Sequence, residues 1–179
     1  MIELEMSQDL AALLRESGYG RIGIDGVDGC GKTTLAKSLA EQLDVPLISL
    51  DDYLDEKRDG YLDHLRYEEL KRDFHAKPQC IVEGVCLLQA LNIANLEIDA
   101  LVYVKRMQHG LWADEHECDF VEDVDVFLKA EGALAEMFSV GDTDPARPAL
   151  QKLAEELIRY HASYRPFEQA TFWYCRTAS

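Results

Sequence analysis

A glycine-rich stretch near the N-terminus has residue types and a spacing suited to binding phosphate. Gly26, Gly31, Lys32 and Thr33 match the pattern GxxxxGK[ST], which follows an apolar run and precedes residues with helical spacing. In such a loop successive backbone N–H groups can point at phosphate oxygens, and the start of the following helix adds partial positive charge. We therefore expect a loop that binds a nucleoside triphosphate.

The residues of this loop have separate expected roles. Lys32 supplies an ammonium group for the β and γ phosphates, and the Thr33 hydroxyl is a candidate ligand of Mg²⁺. The backbone of Cys30 is expected to matter more than its thiol, with an oxidation-sensing thiol as the alternative. The residues expected to bind ATP are Gly26, Asp28, Gly29, Cys30, Gly31, Lys32, Thr33 and Thr34.

Acidic residues follow two other apolar runs of the chain. Asp51 and Asp52 come directly after the run at 46–50, and Glu83 follows the apolar residues at 80–82. A kinase must align an acceptor hydroxyl with the γ phosphate and remove its proton, and an aspartate at the end of a neighbouring strand can accept that proton. The chain also lacks the NKxD and LSGGQ patterns, which weakens a GTPase or a transporter ATPase as alternatives.

Apolar runs and segments with helical spacing alternate along the chain, which indicates how these residues are positioned. The runs predicted as strands are 21–25, 46–50, 80–85, 99–104 and 171–177. Continuous apolar runs are typical of strands covered on both faces, so we predict an α/β fold with a parallel sheet of about five strands flanked by helices. A length of 179 residues fits one domain, at 1–179.

Several of these motifs together resemble the uridine kinase-like P-loop kinases, a group that includes nucleoside, pantothenate and phosphoribulose kinases. The resemblance rests on IGIDGVDGCGKTTLAKSLA, LDDYLD, IVEGV and YHASYRPFEQATF, and it implies a nucleotide-kinase fold. It also implies that Asp51 is the general base and that Glu83 lies near Mg²⁺. Alternatives remain: Asp52 could be the base or contact metal-bound water, the pair could cap a turn, and Glu83 could be an ordinary strand-end carboxylate.

The acceptor pocket is defined less sharply by the sequence. Asp63 falls where uridine kinases carry an aspartate that binds ribose hydroxyls, although Leu65 replaces the proline of that motif. Tyr53 and Tyr61 lie nearby, so the segment could line a polar and aromatic pocket. Asp52 and Tyr53 are further candidates for substrate contact. An amphipathic helix from about Leu65 to His75 would require similar residues, so this assignment stays open.

Members of this group usually follow the fourth strand with an arginine-rich lid helix that clamps the transferred phosphate. Here the lid-like segment at about 105–118 has only Lys105 and Arg106 at its start, so Arg106 is a candidate clamp. Alternatively Arg147, Arg159 or Arg165 supplies the charge, or transfer is slow. The following segment, at about 117–139, is rich in acids and is predicted to be a helix with a solvated face.

The sequence leads to the hypothesis of Mg²⁺-ATP-dependent transfer of the γ phosphate to a hydroxyl of a small metabolite, with a nucleoside as the first choice. The stretch DGVDGCGKTT also resembles thymidylate kinases, whose phosphate acceptor would require arginines near the carboxyl edge of the sheet. A third alternative is a nucleotide-binding sensor without transfer activity, in which the acidic helix would carry the signal.

Composition limits the partners of the chain. With 34 acidic and 18 basic residues the net charge is −16, so we expect no binding to nucleic acid or to anionic membranes. The first residues contain early acids and no long apolar run, so we expect no signal peptide, no membrane span and a cytoplasmic location. The expected partner is a small-molecule phosphoryl acceptor, and a homodimer is one candidate state of assembly.

Overall fold

The architecture is a parallel β-sheet with helices packed on it, in a computed structural model that describes residues 2–55, 60–118, 123–130 and 147–177. The strands are β1 (Ile2–Leu4), β2 (Arg21–Asp25), β3 (Leu47–Ser49), β4 (Cys80–Glu83), β5 (Ala100–Gln108), β6 (Leu111–Trp112) and β7 (Phe172–Thr177). Their order across the sheet is β3-β4-β2-β5-β7-β1, with β6 paired antiparallel to β5 and every other pair parallel.

The helices follow the strands in alternation. They are α1 (Ser7–Ser17), α2 (Lys32–Leu43), α3 (Tyr67–His75), α4 (Leu87–Ala94), α5 (Glu115–Cys118), α6 (124–130), α7 (Arg147–Tyr164) and α8 (Pro166–Gln169). Two 3₁₀ turns, at Leu50–Tyr53 and Leu62–His64, lie between β3 and α3. The crossovers through α2 and α4 run in opposite directions along the sheet, so right-handed connections place these two helices on opposite faces.

The central strands are the apolar runs that the sequence predicts. β2 lies between β4 and β5, with Ile22 and Ile24 buried in the middle of the sheet. β4 is buried at every position, as expected for a parallel strand covered on both faces. This arrangement brings the carboxyl ends of β3, β4, β2, β5 and β7 to one edge of the sheet.

The predicted α/β class is confirmed, but the predicted number of about five strands is too low. Within the described residues the sheet has six parallel strands and the short antiparallel β6. β1 was missed because it has three residues, with Ile2 about half exposed at an edge, and so lacks the continuous apolar run of a buried strand. β6 has only two residues, which is too short for any sequence pattern.

The segment predicted to be lid-like begins as a continuation of β5 rather than as a helix. β5 extends to Gln108, turns into β6, and is followed by the short α5. Of the acidic segment predicted at about 117–139, residues 123–130 are described, and 124–130 are helical; the remainder from residue 119 onward lies outside the described residues. None of the helices described has the length and apolar character needed to cross a bilayer.

Candidate functional site

The glycine-rich loop connects the carboxyl end of β2 to the start of α2, where the sequence predicts it. Gly26 has φ +151°, and a Cβ there would lie 2.7 Å from the Cys30 Sγ and 2.8 Å from the Val104 carbonyl oxygen. Gly31 has φ +103°, a conformation that residues with side chains rarely adopt. The loop therefore needs glycine at both positions to fold back towards α2.

Lys32 lies inside the curve of this loop. Its side chain is 6% exposed, and its Nζ donates a hydrogen bond to the Val27 carbonyl oxygen at 2.7 Å. An ammonium group has three donors, so one bond to Val27 leaves others for an anion. The residue is thus held at the loop and is placed to meet a phosphate there.

Three oxygen-bearing side chains meet beside Lys32. The Thr33 Oγ1 lies 3.3 and 3.2 Å from the two carboxylate oxygens of Glu83, and the Ser49 Oγ donates to the Glu83 Oε1 at 2.6 Å. Two hydroxyls and one carboxylate suit Mg²⁺, which prefers oxygen ligands and is usually shared with substrate phosphates. Glu83 and Thr33 were predicted for this position. Ser49 was not, although it ends β3 directly before Leu50.

Asp51 lies on the same side of the loop as this trio of oxygens. It belongs to the 3₁₀ turn after β3, and one of its oxygens, Oδ1, accepts a hydrogen bond from the Tyr61 hydroxyl at 2.8 Å. Asp51 and Tyr61 both line a cleft of about 640 Å³ that also contains Lys32, Thr33 and Glu83. Pockets of this size hold small-molecule ligands.

The cleft extends across the edge of the sheet, from the end of β3 to β7. The wall near Asp51 is formed by Leu54, Tyr61, Val85 and Leu153. At the other side the Arg176 guanidinium lies against Gly31, and its Nη1 donates to the Cys30 carbonyl oxygen at 3.2 Å. Because β7 and β3 flank the loop on opposite sides, Arg176 and Asp51 mark the two ends of the cleft.

Arg176 was not among the residues predicted from sequence. Among the described residues that line the cleft, Lys32 and Arg176 are the basic ones. No ion pair joins Arg176 to a carboxylate of the described chain, whereas Arg159 pairs with Asp125 and Glu155. The signal that could have identified it is a single basic residue at the carboxyl end of an otherwise uncharged final strand.

The other candidates for a phosphate clamp lie elsewhere in the structure. The Arg106 Nη2 bonds to the buried Asp114 Oδ1 at 2.5 Å, and Lys105 is buried between two tryptophan rings. Arg165 forms an ion pair with Glu168 at the surface. The side chain of Arg147 lies outside the described part of the chain. None of these described groups lines the cleft.

Three residues proposed to contact substrate also fall outside the cleft. Tyr53 is buried, and its hydroxyl donates to the Asp73 Oδ2 at 3.0 Å, on the side of α3. The carboxylate of Asp63 is about three-quarters exposed and lies 3.7 Å from the Lys152 Nζ. Asp52 is exposed, next to the cleft residue Asp51. The structure therefore groups Asp51, but not these three, with the phosphate loop.

Asp25, the last residue of β2, contacts the start of the phosphate loop. It was not predicted as a site residue from the sequence. Its carboxylate is fully buried and accepts hydrogen bonds from the Gly26 N–H at 2.7 Å and from the Tyr160 hydroxyl of α7. Burial raises the pKa of Asp25 to about 6, and its hydrogen bonds and the charge of Lys32 oppose that rise. A buried carboxylate with a raised pKa thus lies next to the phosphate loop.

The thiol of Cys30 is not available at the surface of the loop. The residue is fully buried, and burial raises the pKa of its thiol to about 11. Thiol reactivity depends on the thiolate form and on access, and both are disfavoured here. The geometry supports a role for the backbone of Cys30 and gives no support to an oxidation-sensing thiol. All five cysteines are unpaired and buried.

Comparisons with known proteins bear on the fold of this chain. No family model matches the sequence, and no curated protein matches it. Similar solved structures include a possible uridine kinase from Bacillus stearothermophilus, with 14% identity, a TM-score of 0.50, and coverage of 93% of this chain and 98% of that one. A proposed fructose transport system kinase from a Silicibacter species is 14% identical, with a TM-score of 0.49 and coverage of 98% and 100% of the two chains.

A shikimate kinase from Aquifex aeolicus is 16% identical, with a TM-score of 0.43 and coverage of 86% of this chain and 84% of its own. At 14% identity, the likeness to the possible uridine kinase shows the fold alone. The resemblance to uridine kinase-like P-loop kinases that the sequence motifs predicted is therefore confirmed at the level of the fold.

Proposed function

We propose that this protein is a phosphotransferase that moves the γ phosphate of Mg²⁺-ATP to a hydroxyl group of a small, uncharged metabolite, with nucleosides as the first class to test. The observation that carries the proposal is the single cleft in which Lys32, Thr33 and Glu83 lie together with Asp51. A phosphate site, a candidate metal site and a candidate base are the parts that phosphoryl transfer requires.

The phosphate loop would hold the β and γ phosphates. The N–H groups at the start of α2 and the partial positive charge of that helix terminus favour an anion, and Lys32 adds a full charge. The side chains of Thr33, Ser49 and Glu83 would hold Mg²⁺ beside the phosphates. Bound magnesium would neutralise charge that develops on the phosphate oxygens during transfer.

The positions of Asp51 and Arg176 indicate how a bound nucleotide would be oriented in the cleft. The γ phosphate must face the base, so it would lie towards Asp51 on the β3 side. Arg176 would then contact the α phosphate or the nucleoside at the β7 side, because it lies at the end of the cleft opposite to Asp51. Asp51 would accept the proton of the acceptor hydroxyl as the new bond to phosphorus forms.

The wall beside Asp51 favours an uncharged acceptor. Leu54, Val85 and Leu153 are apolar, and the Tyr61 hydroxyl is already bonded to Asp51. A phosphorylated acceptor, as in thymidylate kinases, would require cations on this wall, and none is present among the described residues that line it. Lys57 and Arg58 lie outside the described residues, so variants of these two test the alternative directly.

A nucleotide-binding sensor is the second candidate function, and the position of Arg106 favours it. Arg106 is held by Asp114 outside the cleft, so the described residues provide no arginine clamp on the Asp51 side. A sensor would bind Mg²⁺-ATP through the same loop without transferring phosphate. The two functions differ in product formation and not in nucleotide affinity.

A panel of acceptors incubated with Mg²⁺-ATP tests the proposal. The panel contains nucleosides, pantothenate, shikimate, hexoses and a nucleoside monophosphate, and the readout is ADP release together with the mass of the phosphorylated product. We expect one uncharged acceptor to be phosphorylated, and we expect Asp51→Asn to lower the rate of product formation by about 10²-fold or more. Tight ATP binding with no product from any acceptor would support the sensor and overturn the kinase.

A further inference from the structure

The hydroxyl of Tyr61 is aimed at the candidate base and not at the open cleft. Tyr61 is 5% exposed, and its Oη donates to the Asp51 Oδ1 at 2.8 Å. Burial, followed by the charge of Asp51, raises the pKa of Tyr61 far above its ordinary value, so the phenol stays protonated. It is therefore a permanent donor to one oxygen of Asp51.

The backbone around Tyr61 is fixed from α7. One carboxylate oxygen of Glu156, Oε2, accepts the N–H groups of Tyr61 at 2.8 Å and of Leu62 at 3.4 Å. From the other side, the Tyr67 hydroxyl donates to the Leu62 carbonyl oxygen at 2.8 Å. The segment is thus bonded to two helices, and its aromatic side chain is held against Asp51.

The face of α7 that carries Glu156 also contacts the residue that precedes the phosphate loop. Leu153, Glu156 and Tyr160 are spaced so that they lie along one side of the helix. Leu153 lines the cleft, Glu156 holds the backbone of Tyr61, and Tyr160 donates to Asp25 beneath the loop. One helix therefore contacts both the side of the cleft that would bind the acceptor and the base of the phosphate loop.

An exposed aspartate in a short turn needs such support to act as a base. Asp51 is accessible from the cleft, and a free carboxylate would rotate among several rotamers. Proton transfer requires the accepting oxygen within about 3 Å of the hydroxyl. A misplacement of about 1 Å at a reacting group can lower a rate by about 10²-fold.

We propose that Tyr61 is a positioning residue that fixes Asp51, so that Oδ1 is occupied by the phenol and Oδ2 is left for the acceptor hydroxyl, and that Glu156 of α7 holds Tyr61 in place. The inference rests on the proposed kinase function. The sequence indicated Tyr61 only as a possible residue of the pocket wall and did not single out Glu156. Glu156 acts through Tyr61, and Tyr61 acts through Asp51.

A double-mutant cycle tests the first link. Tyr61→Phe should lower kcat about 10- to 100-fold, while the KM and the Kd for Mg²⁺-ATP stay within about twofold, since the phenol acts on the base and not on the nucleotide. In the Asp51→Asn background the same change should have no further effect. Losses that multiply in the double variant would overturn the inference, because Tyr61 would then act independently of Asp51.

Tyr53→Phe is the matched control. It removes a phenol that also bonds to an aspartate in the same part of the chain, but that aspartate is Asp73, outside the cleft. We expect its kcat to remain within about threefold of the wild-type value. An equal loss in both variants would mean that removing any buried hydroxyl here perturbs the fold, and the assignment of Tyr61 would fail.

The second link is tested with a pair of variants at Glu156. Glu156→Ala removes the acceptor for two backbone N–H groups and should lower kcat as Tyr61→Phe does. Glu156→Gln keeps one acceptor oxygen and should recover most of the rate. A fully active Glu156→Ala protein would overturn the role of α7.

The outcomes separate this inference from the function on which it rests. Wild-type protein that transfers no phosphate would refute the proposed function and the role of Tyr61 with it. Wild-type protein that is active, with a Tyr61→Phe variant of equal kcat, would refute the positioning role alone.

Discussion

Replacing Asp25 by asparagine should change how the stability of this protein depends on pH. The carboxylate is fully buried beneath the phosphate loop, and its pKa is raised from 3.8 to about 6. Asparagine keeps an oxygen that can accept the Gly26 N–H, and its amide group can meet the Tyr160 hydroxyl. The substitution therefore removes the titration and keeps the bond from the Gly26 N–H, while the bond with Tyr160 reverses direction because the amide N–H donates to the hydroxyl oxygen.

The size of the effect follows from the difference in pKa between the folded and unfolded states. One pKa unit corresponds to about 1.4 kcal/mol, so at neutral pH the buried charge of Asp25 costs about 3 kcal/mol relative to its protonated form. Because the folded state binds this proton more tightly, the contribution is favourable at low pH and is lost as the pH rises through about 6. Between pH 7.5 and pH 5 wild-type protein should gain about 1.4 kcal/mol from this group.

Urea unfolding of wild-type protein and of Asp25→Asn at pH 7.5, 6.5 and 5 measures the difference. Other carboxylates also titrate, so the quantity to compare is the difference in the free energy of unfolding between the two proteins at each pH. The control is Asp44→Asn, at an exposed residue that follows α2. A wild-type minus Asp25→Asn difference that stays constant from pH 7.5 to 5 would refute the raised pKa.

Three further substitutions test the proposed roles in the cleft. Lys32→Ala should abolish transfer in a protein whose fold remains intact, because the lysine acts by its charge; normal turnover would remove the phosphate assignment. Asp51→Asn should lower turnover by about 10²-fold or more with unchanged ATP affinity in calorimetry, and a larger loss in Asp52→Asn would identify the other aspartate as the base. Arg176→Ala should raise the Kd for Mg²⁺-ATP about 10-fold, whereas Arg159→Ala should leave it unchanged. An Arg176→Ala protein that binds Mg²⁺-ATP as tightly as the wild-type protein would exclude Arg176 from nucleotide binding.

Much of the fold could be predicted because its signals are local. A buried parallel strand is a continuous apolar run, and the predicted run at 21–25 coincides with β2 (Arg21–Asp25). The pattern GxxxxGK[ST] lies within eight successive positions between one strand and one helix, so its conformation depends on neighbours in the chain. The exposed edge strand β1 gives no such signal, since half-exposed residues need not be apolar.

The rest of the cleft depends on contacts between distant parts of the chain. Cys30 and Arg176 are 146 positions apart and meet only because β7 lies beside β5 at the edge where the loop begins. Tyr160 reaches Asp25 across 135 positions. No spacing in the sequence encodes these pairs. The prediction for Arg106 did not take account of Asp114, a buried carboxylate eight positions further along the chain with which Arg106 forms an ion pair.

The two tryptophans of this chain lie on either side of Lys105, whose Nζ is 4.6 Å from the ring centre of Trp112 and 3.1 Å from that of Trp173. All indole fluorescence therefore originates from one small region, where the hairpin after β5 meets the final strand. Arg176 is three positions beyond Trp173 on that strand. The emission spectrum therefore reports on the packing around Lys105 alone, and it requires no added label.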